Sequence, residues 1–164
     1  MRVLAIDPGP TQSAWVLLQS DGFVRDFGIT DNRDVRAMLR MRSYSPSVVV
    51  LEMIASYGMP VGREVFDTCV WIGRFIESAM VPHILMFRRE VKLHLCNSAR
   101  AKDANVRQAL LDRYGPGRQK AMGTKAKPGP LYGVRKDVWA ALGVAVTFMD
   151  RHQANAETRV EAIG

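Results

Sequence analysis

Val3-Leu4-Ala5-Ile6-Asp7-Pro8-Gly9 decides how this chain is read. Four successive apolar residues describe a strand buried on both faces, and Pro8-Gly9 supplies the turn that ends it. Asp7 stands where the two meet. An ionised carboxylate in an apolar setting must be paired, hydrogen-bonded or metal-bound. The device recurs at Val48-Val49-Val50-Leu51-Glu52-Met53, where Glu52 interrupts a second apolar run. A third acid, Asp137, opens a late helical pattern. Three acids so placed point to a divalent-metal site.

Working outward, residues 3–7, 13–19 and 24–30 read as three strands. Pro8-Gly9-Pro10 and Asp21-Gly22 are turn sequences, so the three form an antiparallel meander. Val35, Met38 and Leu39 mark a short helix over 33–41. The run at 47–53 is nearly all apolar and predicts a central strand. Val65, Cys69, Ile72, Ile76 and Ala79 keep helical spacing until Val81-Pro82 ends the pattern. His83–Phe87 reads as a fifth strand. Asp103 is placed to cap the next helix, with Val106, Leu110 and Tyr114 as its apolar stripe and Gly115 as its end. The segment 115–133 holds five Gly, three Pro and four Lys or Arg, and predicts a mobile loop. Val138, Ala141, Leu142, Ala145 and Met149 mark a last helix over 135–149. Residues 151–164 read as a polar tail that frays. Trp139 and the nine methionines read as core.

The order β-β-β-α-β-α-β-α-α predicts an α/β fold with one mixed five-stranded sheet. Three antiparallel strands come first, then parallel strands joined by crossover helices. At 164 residues, a single domain over 1–150 with the tail at 151–164 is expected. No apolar run approaches the roughly 18 residues of a membrane span. Asp7 falls inside the one N-terminal apolar stretch, so no signal peptide is expected. Cys69 and Cys96 lack ligand spacing and read as reduced, which points to the cytoplasm. His83, His94 and His152 form no metal-ligand group. No nucleophile triad and no phosphate-binding loop of the nucleotide type is present, so no nucleotide cofactor is expected.

The net charge is +7, and its placement matters more than its size. Eleven Lys or Arg lie between positions 88 and 127, against Glu90, Asp103 and Asp112. That stretch carries +8, leaving −1 for the rest. A concentrated basic block beside candidate metal-binding acids points to a polyanionic substrate, nucleic acid above all. Lys92, Arg100, Lys102, Arg118, Lys120, Lys125, Lys127 and Lys136 are the candidate DNA-binding cations.

Met1 to Gly9, Val48-Val49-Val50-Leu51-Glu52 and the segment opened by Asp137 together resemble a RuvC-type Holliday-junction resolvase of the RNase H-like superfamily. The resemblance spans nearly the whole chain. It implies that Asp7, Glu52 and Asp137 hold two Mg²⁺ ions, with Mn²⁺ as a substitute, for phosphodiester hydrolysis. Val91-Lys92 and Ala101-Lys102-Asp103-Ala104-Asn105-Val106 are also similar to the family, whose two lysines there face the active site and the DNA. Lys102 is thus a candidate catalytic cation; Lys92 has the same role or anchors the strand. The residues agree with the resemblance. Mg²⁺ prefers hard oxygen ligands, and two ions roughly 4 Å apart activate a water and stabilise the leaving oxygen. Asp7, at the middle of the sheet, is the expected bridging ligand.

One position departs from the family. A second carboxylate usually follows the first by three residues on the final helix, and here Ala140 stands there. Lys136 either restores positive charge in the site or faces solvent.

Thr11 and Ser13 either bond a phosphate or complete an ordinary turn. The loop Ser56-Tyr57-Gly58-Met59-Pro60-Val61-Gly62 is similar to the family loop that probes the junction centre. Tyr57 is the candidate wedge and Met59 the second choice, since an aromatic stacked on a base contributes roughly 1–3 kcal/mol. The resemblance places a homodimer interface on the helix over 63–80, where Val70, Trp71 and Phe75 widen the apolar face. Two-fold symmetry suits paired nicks on opposed strands of a four-way junction.

The leading expectation is therefore a Mg²⁺-dependent endonuclease that resolves branched DNA, acting on four-way junctions as a homodimer. Alternatives are an RNase H-like nuclease of RNA or RNA–DNA hybrid, and a non-catalytic branched-DNA-binding protein with Ala140 marking loss of the site. An actin-like ATPase begins with a similar strand and acid-Gly turn, but 164 residues are too few for its two domains. The compact size would suit a bacterial or phage-type protein.

Overall fold

The computed structural model describes residues 1–161. Its strands are β1 (Arg2–Asp7), β2 (Gln12–Gln19), β3 (Val24–Asp31), β4 (Val48–Met53) and β5 (His83–Phe87). Its helices are α1 (Asn32–Arg40), α2 (Arg63–Ser78), α3 (Arg88–Cys96), α4 (Asp103–Tyr114), α5 (Arg118–Met122) and α6 (Val138–Glu161). The strands form one sheet in the order β3-β2-β1-β4-β5. β1–β2 and β2–β3 are antiparallel, whereas β1–β4 and β4–β5 are parallel. This is the mixed five-stranded sheet that the alternation of elements predicts.

Successive side chains of a strand point to opposite faces, and this chain uses both. Leu4, Ile6, Leu17, Val49 and Leu51 face α1 and α2, packing with Val35, Leu39 and Phe75. Val3, Ala5, Val16, Val48 and Val50 face the other helical layer, with Val91, Val106, Leu110 and Leu142. Burying each Leu, Val or Ile contributes roughly 1.5–3 kcal/mol. α6 lies across β1, β2 and β4 and carries most of that second layer. β1 and β4 are thus gripped from two sides, which fixes the ends that carry Asp7 and Glu52.

The turn after Asp7 is closed by its own polar groups. Ser13 Oγ donates to Asn32 Oδ1 at 2.6 Å, and Asn32 Nδ2 donates to the Gly9 carbonyl at 2.9 Å. A side chain at Gly9 would collide with the Gln12 carbonyl, so the turn needs glycine there. Ser13 and Asn32 are buried, and Ser13 is spent on the turn rather than offered to a phosphate. Asp31 caps α1 by accepting from the Arg33 amide at 2.8 Å, worth about 1 kcal/mol.

Several elements depart from the sequence reading. α3 has no counterpart in it. The segment 115–133 is ordered: it contains α5, buries Ala121 and Leu131, and ties Leu131 N to the Ala121 carbonyl at 2.8 Å. Close approach of backbone to backbone accounts for Gly123 and Gly129, in a segment whose glycine content alone reads as a loop. The polar stretch expected to fray from 151 instead continues α6 to Glu161. Arg151 pairs with Glu90 at 2.7 Å, and Gln153 donates to the Ser20 carbonyl at 3.2 Å, bracing the extension. Residues 162–164 of that tail lie outside the described residues. Phe75, placed by the sequence on a dimer face, is fully buried in the core. Met86 and Met149 are core, but Met41, Met59 and Met80 are exposed. Among the described residues, no helix is long and apolar enough to cross a membrane.

Candidate active site and basic cleft

The parallel pairing of β1 with β4 builds the site. Ile6 is in register with Leu51, so the chain positions that follow, Asp7 and Glu52, emerge side by side at the same end of the sheet. On the other side of β4, Glu52 is in register with Met86 and Met53 with Phe87. Arg88 comes next and is the first residue of α3. The end of β5 thereby delivers a guanidinium to the two carboxylates.

Asp7 and Glu52 line one cavity of about 180 Å³ together with Tyr57 and Arg88. Burial pushes the Asp7 carboxyl up to about 8, the neighbouring Glu52 charge adds to the shift, and Arg88 opposes it. Neither a hydrogen bond nor an ion pair holds the Asp7 side chain among the described residues. Burial also raises Glu52, against the pull of Arg88. Arg88 Nη1 reaches Glu52 Oε2 at 3.3 Å, and its Nη2 donates to Asp103 Oδ1 at 2.9 Å. Burial works against the Arg88 charge, but Glu52 and Asp103 together hold it above its usual range.

A larger cleft of about 650 Å³ adjoins the first and shares Arg88. Arg107, Arg118, Lys136 and Asp137 line it, with Trp139 and Ala140 on the α6 side. The Arg107 guanidinium lies 5.0 Å from the Trp139 ring centroid, a cation–π arrangement that holds the arm in the cleft. Asp137 is exposed, and its carbonyl accepts from the amides of Ala140 and Ala141 to start α6. Its charge is near enough to raise Asp7. Tyr57 and Lys136, one beside each cavity, both hold left-handed backbone, at φ 49° and 48°. For residues other than glycine that conformation costs roughly 1–2 kcal/mol.

The structure distributes the residues singled out from sequence as follows. Asp7, Glu52 and Tyr57 share one cavity; Asp137, Lys136 and Arg118 share its neighbour. Lys92 is drawn to Asp103, with Nζ 3.5 Å from Oδ1. Lys102, Arg100, Lys120, Lys125, Lys127 and Met59 are exposed and line neither cavity. Asp103 does not cap α4; its carboxylate goes to Arg88 and Lys92, while Asn105 Oδ1 accepts from the Lys102 amide at 2.9 Å. Arg88 and Arg107 were not singled out. The only mark of Arg88 in the sequence is its place directly after a strand, one residue beyond the end of β5. Among the described residues, no three His, Cys, Asp or Glu side chains form a ready-made metal cage.

On the face of the sheet opposite α6, α2 exposes Phe66 and Val70, while Trp71 lies half-buried under Arg74 at 4.7 Å. β5, an edge strand, exposes Ile84, Leu85 and Phe87.

No protein-family model matches the sequence, and no curated protein matches it. Solved structures do. A RuvC structure from Thermus thermophilus is similar with a TM-score of 0.65 at 17% identity, over 94% of this chain and 97% of that one. The T. thermophilus RuvC in complex with a Holliday junction substrate is similar with a TM-score of 0.62 at 15% identity, over 90% and 92%. Strand order, the parallel β1–β4 pair and this likeness along nearly the full length agree: the chain has a RuvC-like fold of the RNase H-like class.

Proposed function

We propose that this chain is a divalent-metal-dependent endonuclease that resolves four-way DNA junctions as a homodimer. The observation that carries the reading is the pair Asp7 and Glu52, side by side at the ends of adjacent parallel strands and opening onto a basic cleft. Asp7 is a mostly buried carboxylate with no hydrogen-bond or ion-pair partner among the described residues, and the oxygens around it are hard donors that fit Mg²⁺ or Mn²⁺. Asp7 and Glu52 would hold the ion or ions, with Asp137 joining from the neighbouring cleft. When bound, two such ions supply an activated water and stabilise the leaving 3′ oxygen.

The remaining work belongs to the chain. Arg88, Arg107, Arg118 and Lys136 line the route by which a phosphodiester backbone reaches the acids, and they neutralise it along the way. Tyr57 stands exposed at the mouth of the acidic cavity, where its ring meets unpaired bases at a branch point. Phe66 and Val70 on α2 present the apolar surface for a second copy, which gives paired nicks on opposed strands. The T. thermophilus relative bound to its Holliday junction substrate supports branched DNA as the substrate class.

A second reading, a branched-DNA-binding protein without nuclease activity, draws on two features. Ala140 lies where the family has a carboxylate, and Glu52 is engaged by Arg88. A panel of labelled four-way junctions, linear duplexes and RNA–DNA hybrids, incubated with Mg²⁺ or Mn²⁺, separates the possibilities. Symmetric nicks in the junction alone support the nuclease. Binding without cutting in either ion selects the second reading, and cutting of the hybrid alone moves the substrate to RNA.

A further inference from the structure

Two mostly buried carboxylates, Asp7 and Glu52, line one cavity at the ends of β1 and β4, and one guanidinium bonds Glu52 there. That cation is Arg88. It bonds Glu52 through Nη1 and Asp103 through Nη2, and it is the residue common to the acidic cavity and the basic cleft. The two bonds are unequal. The one to Glu52 is the longer, at 3.3 Å, and involves one carboxylate oxygen, Oε2. The one to Asp103 is 2.9 Å and lies at the rim, where the Asp103 side chain is 74% exposed. Lys92 stands beside Asp103 as a second cation, at 3.5 Å. The guanidinium thus has a firm hold at the rim and a looser one in the interior.

We propose that Arg88 is an internal counter-ion of the acidic cavity: it occupies Glu52 when no divalent ion is bound, and an arriving ion displaces it toward the basic cleft. The proposal rests on the metal reading of Asp7 and Glu52 given above. A guanidinium is never a metal ligand, and its positive charge beside Glu52 repels a dication directly. Ion binding therefore requires Glu52 to exchange one positive partner for another. Asp103 keeps hold of the arm during the exchange, so the freed guanidinium stays at the junction of the two cavities, facing the phosphate route. Arg88 in this way links occupancy of the metal site to the charge offered to DNA.

Mn²⁺ titration of the DNA-free protein, read by the electron paramagnetic resonance of the free ion, tests this. Arg88→Gln should bind Mn²⁺ roughly tenfold more tightly than the wild type, since a repelling unit charge is gone. Arg88→Lys, which keeps the charge, should stay close to wild type and controls for disturbance of the fold. Equal or weaker Mn²⁺ binding by Arg88→Gln overturns the proposal. Asp7→Asn tests the underlying reading separately. An ion lost with Asp7 but indifferent to Arg88 removes only the counter-ion role. An ion indifferent to Asp7, or absent from every variant, removes both.

Discussion

Asp7 and Glu52 are neighbours across a parallel strand pair, not along the sequence. Ile6 pairs with Leu51, and the two acids follow at the same end of β1 and β4. They are far apart along the chain, yet their spacing is set by backbone pairing in the interior of the sheet. Ile6 and Leu51, which precede them, are fully buried and fix the backbone there.

Asp7→Asn should keep junction binding and abolish cutting, since the amide preserves shape but removes the charge that holds a cation. Glu52→Gln should behave alike. A gel-shift assay in EDTA and a nicking assay in Mg²⁺ measure the two properties independently. Wild-type nicking in the Asp7→Asn protein would take that residue out of the chemistry.

Stability should carry the signature of the buried acid. Asp7 titrates at about 8 in the folded chain against an ordinary value of 3.8, so between those values the folded state binds more protons. Stability without metal therefore falls as pH rises through that window, and Asp7→Asn escapes the loss. In EDTA, the melting temperature of the variant relative to wild type should rise from about pH 5 to about pH 8. A gain that ignores pH would show that carboxylate burial is not its cause.

Ala140 offers a gain-of-function test. It sits on the first turn of α6 beside Asp137 and lines the basic cleft. Ala140→Asp should lower the Mg²⁺ concentration needed for half-maximal nicking several-fold. An unchanged or higher requirement would mean that this turn of α6 does not approach the ion.

The two cavities divide the basic block into residues that line the cleft and residues that do not. Arg107→Ala, Arg118→Ala and Lys136→Ala should each flatten the log–log salt dependence of junction binding by about 0.9 for every phosphate left without its cation. Arg100→Ala and Lys125→Ala, on surface that lines neither cavity, should change it less. Equal slopes for the two groups would remove the cleft as the DNA path.

Phe66→Glu with Val70→Glu should halve the mass seen by light scattering and uncouple the paired nicks, leaving single-nicked junctions to accumulate. Both positions are exposed, so the fold should survive. A wild-type mass in the double variant would exclude α2 as the interface between copies.

The sheet was legible because β1 and β4 are short apolar runs rich in β-branched residues, and each is broken by one acid. α2, α4 and α6 were legible through their helical stripes. α3 was hidden for a physical reason: Val91 is its one fully buried residue, so Arg88 to Cys96 shows little periodicity. α5 was hidden by glycines that serve close backbone approach, not mobility. In the site, the acids stood out because a carboxylate in an apolar run is anomalous. Arg88 and Arg107 did not, because one basic residue among many looks like solvated surface until the pairing of β4 with β5 places Arg88 against Glu52. Phe66 went unmarked for the mirror-image reason: an apolar residue is assigned to the interior unless the helix is seen to turn it outward.

The acidic cavity combines parts mounted in very different ways. Asp7 and Glu52 are mounted on paired strands clamped between two packed layers, while Arg88 reaches Glu52 on a long arm from the first residue of a helix. Should an ion displace Arg88 as proposed above, the rearrangement would fall on that arm. The strand frame would then hold the two acids in place while that side chain adapted to each occupant.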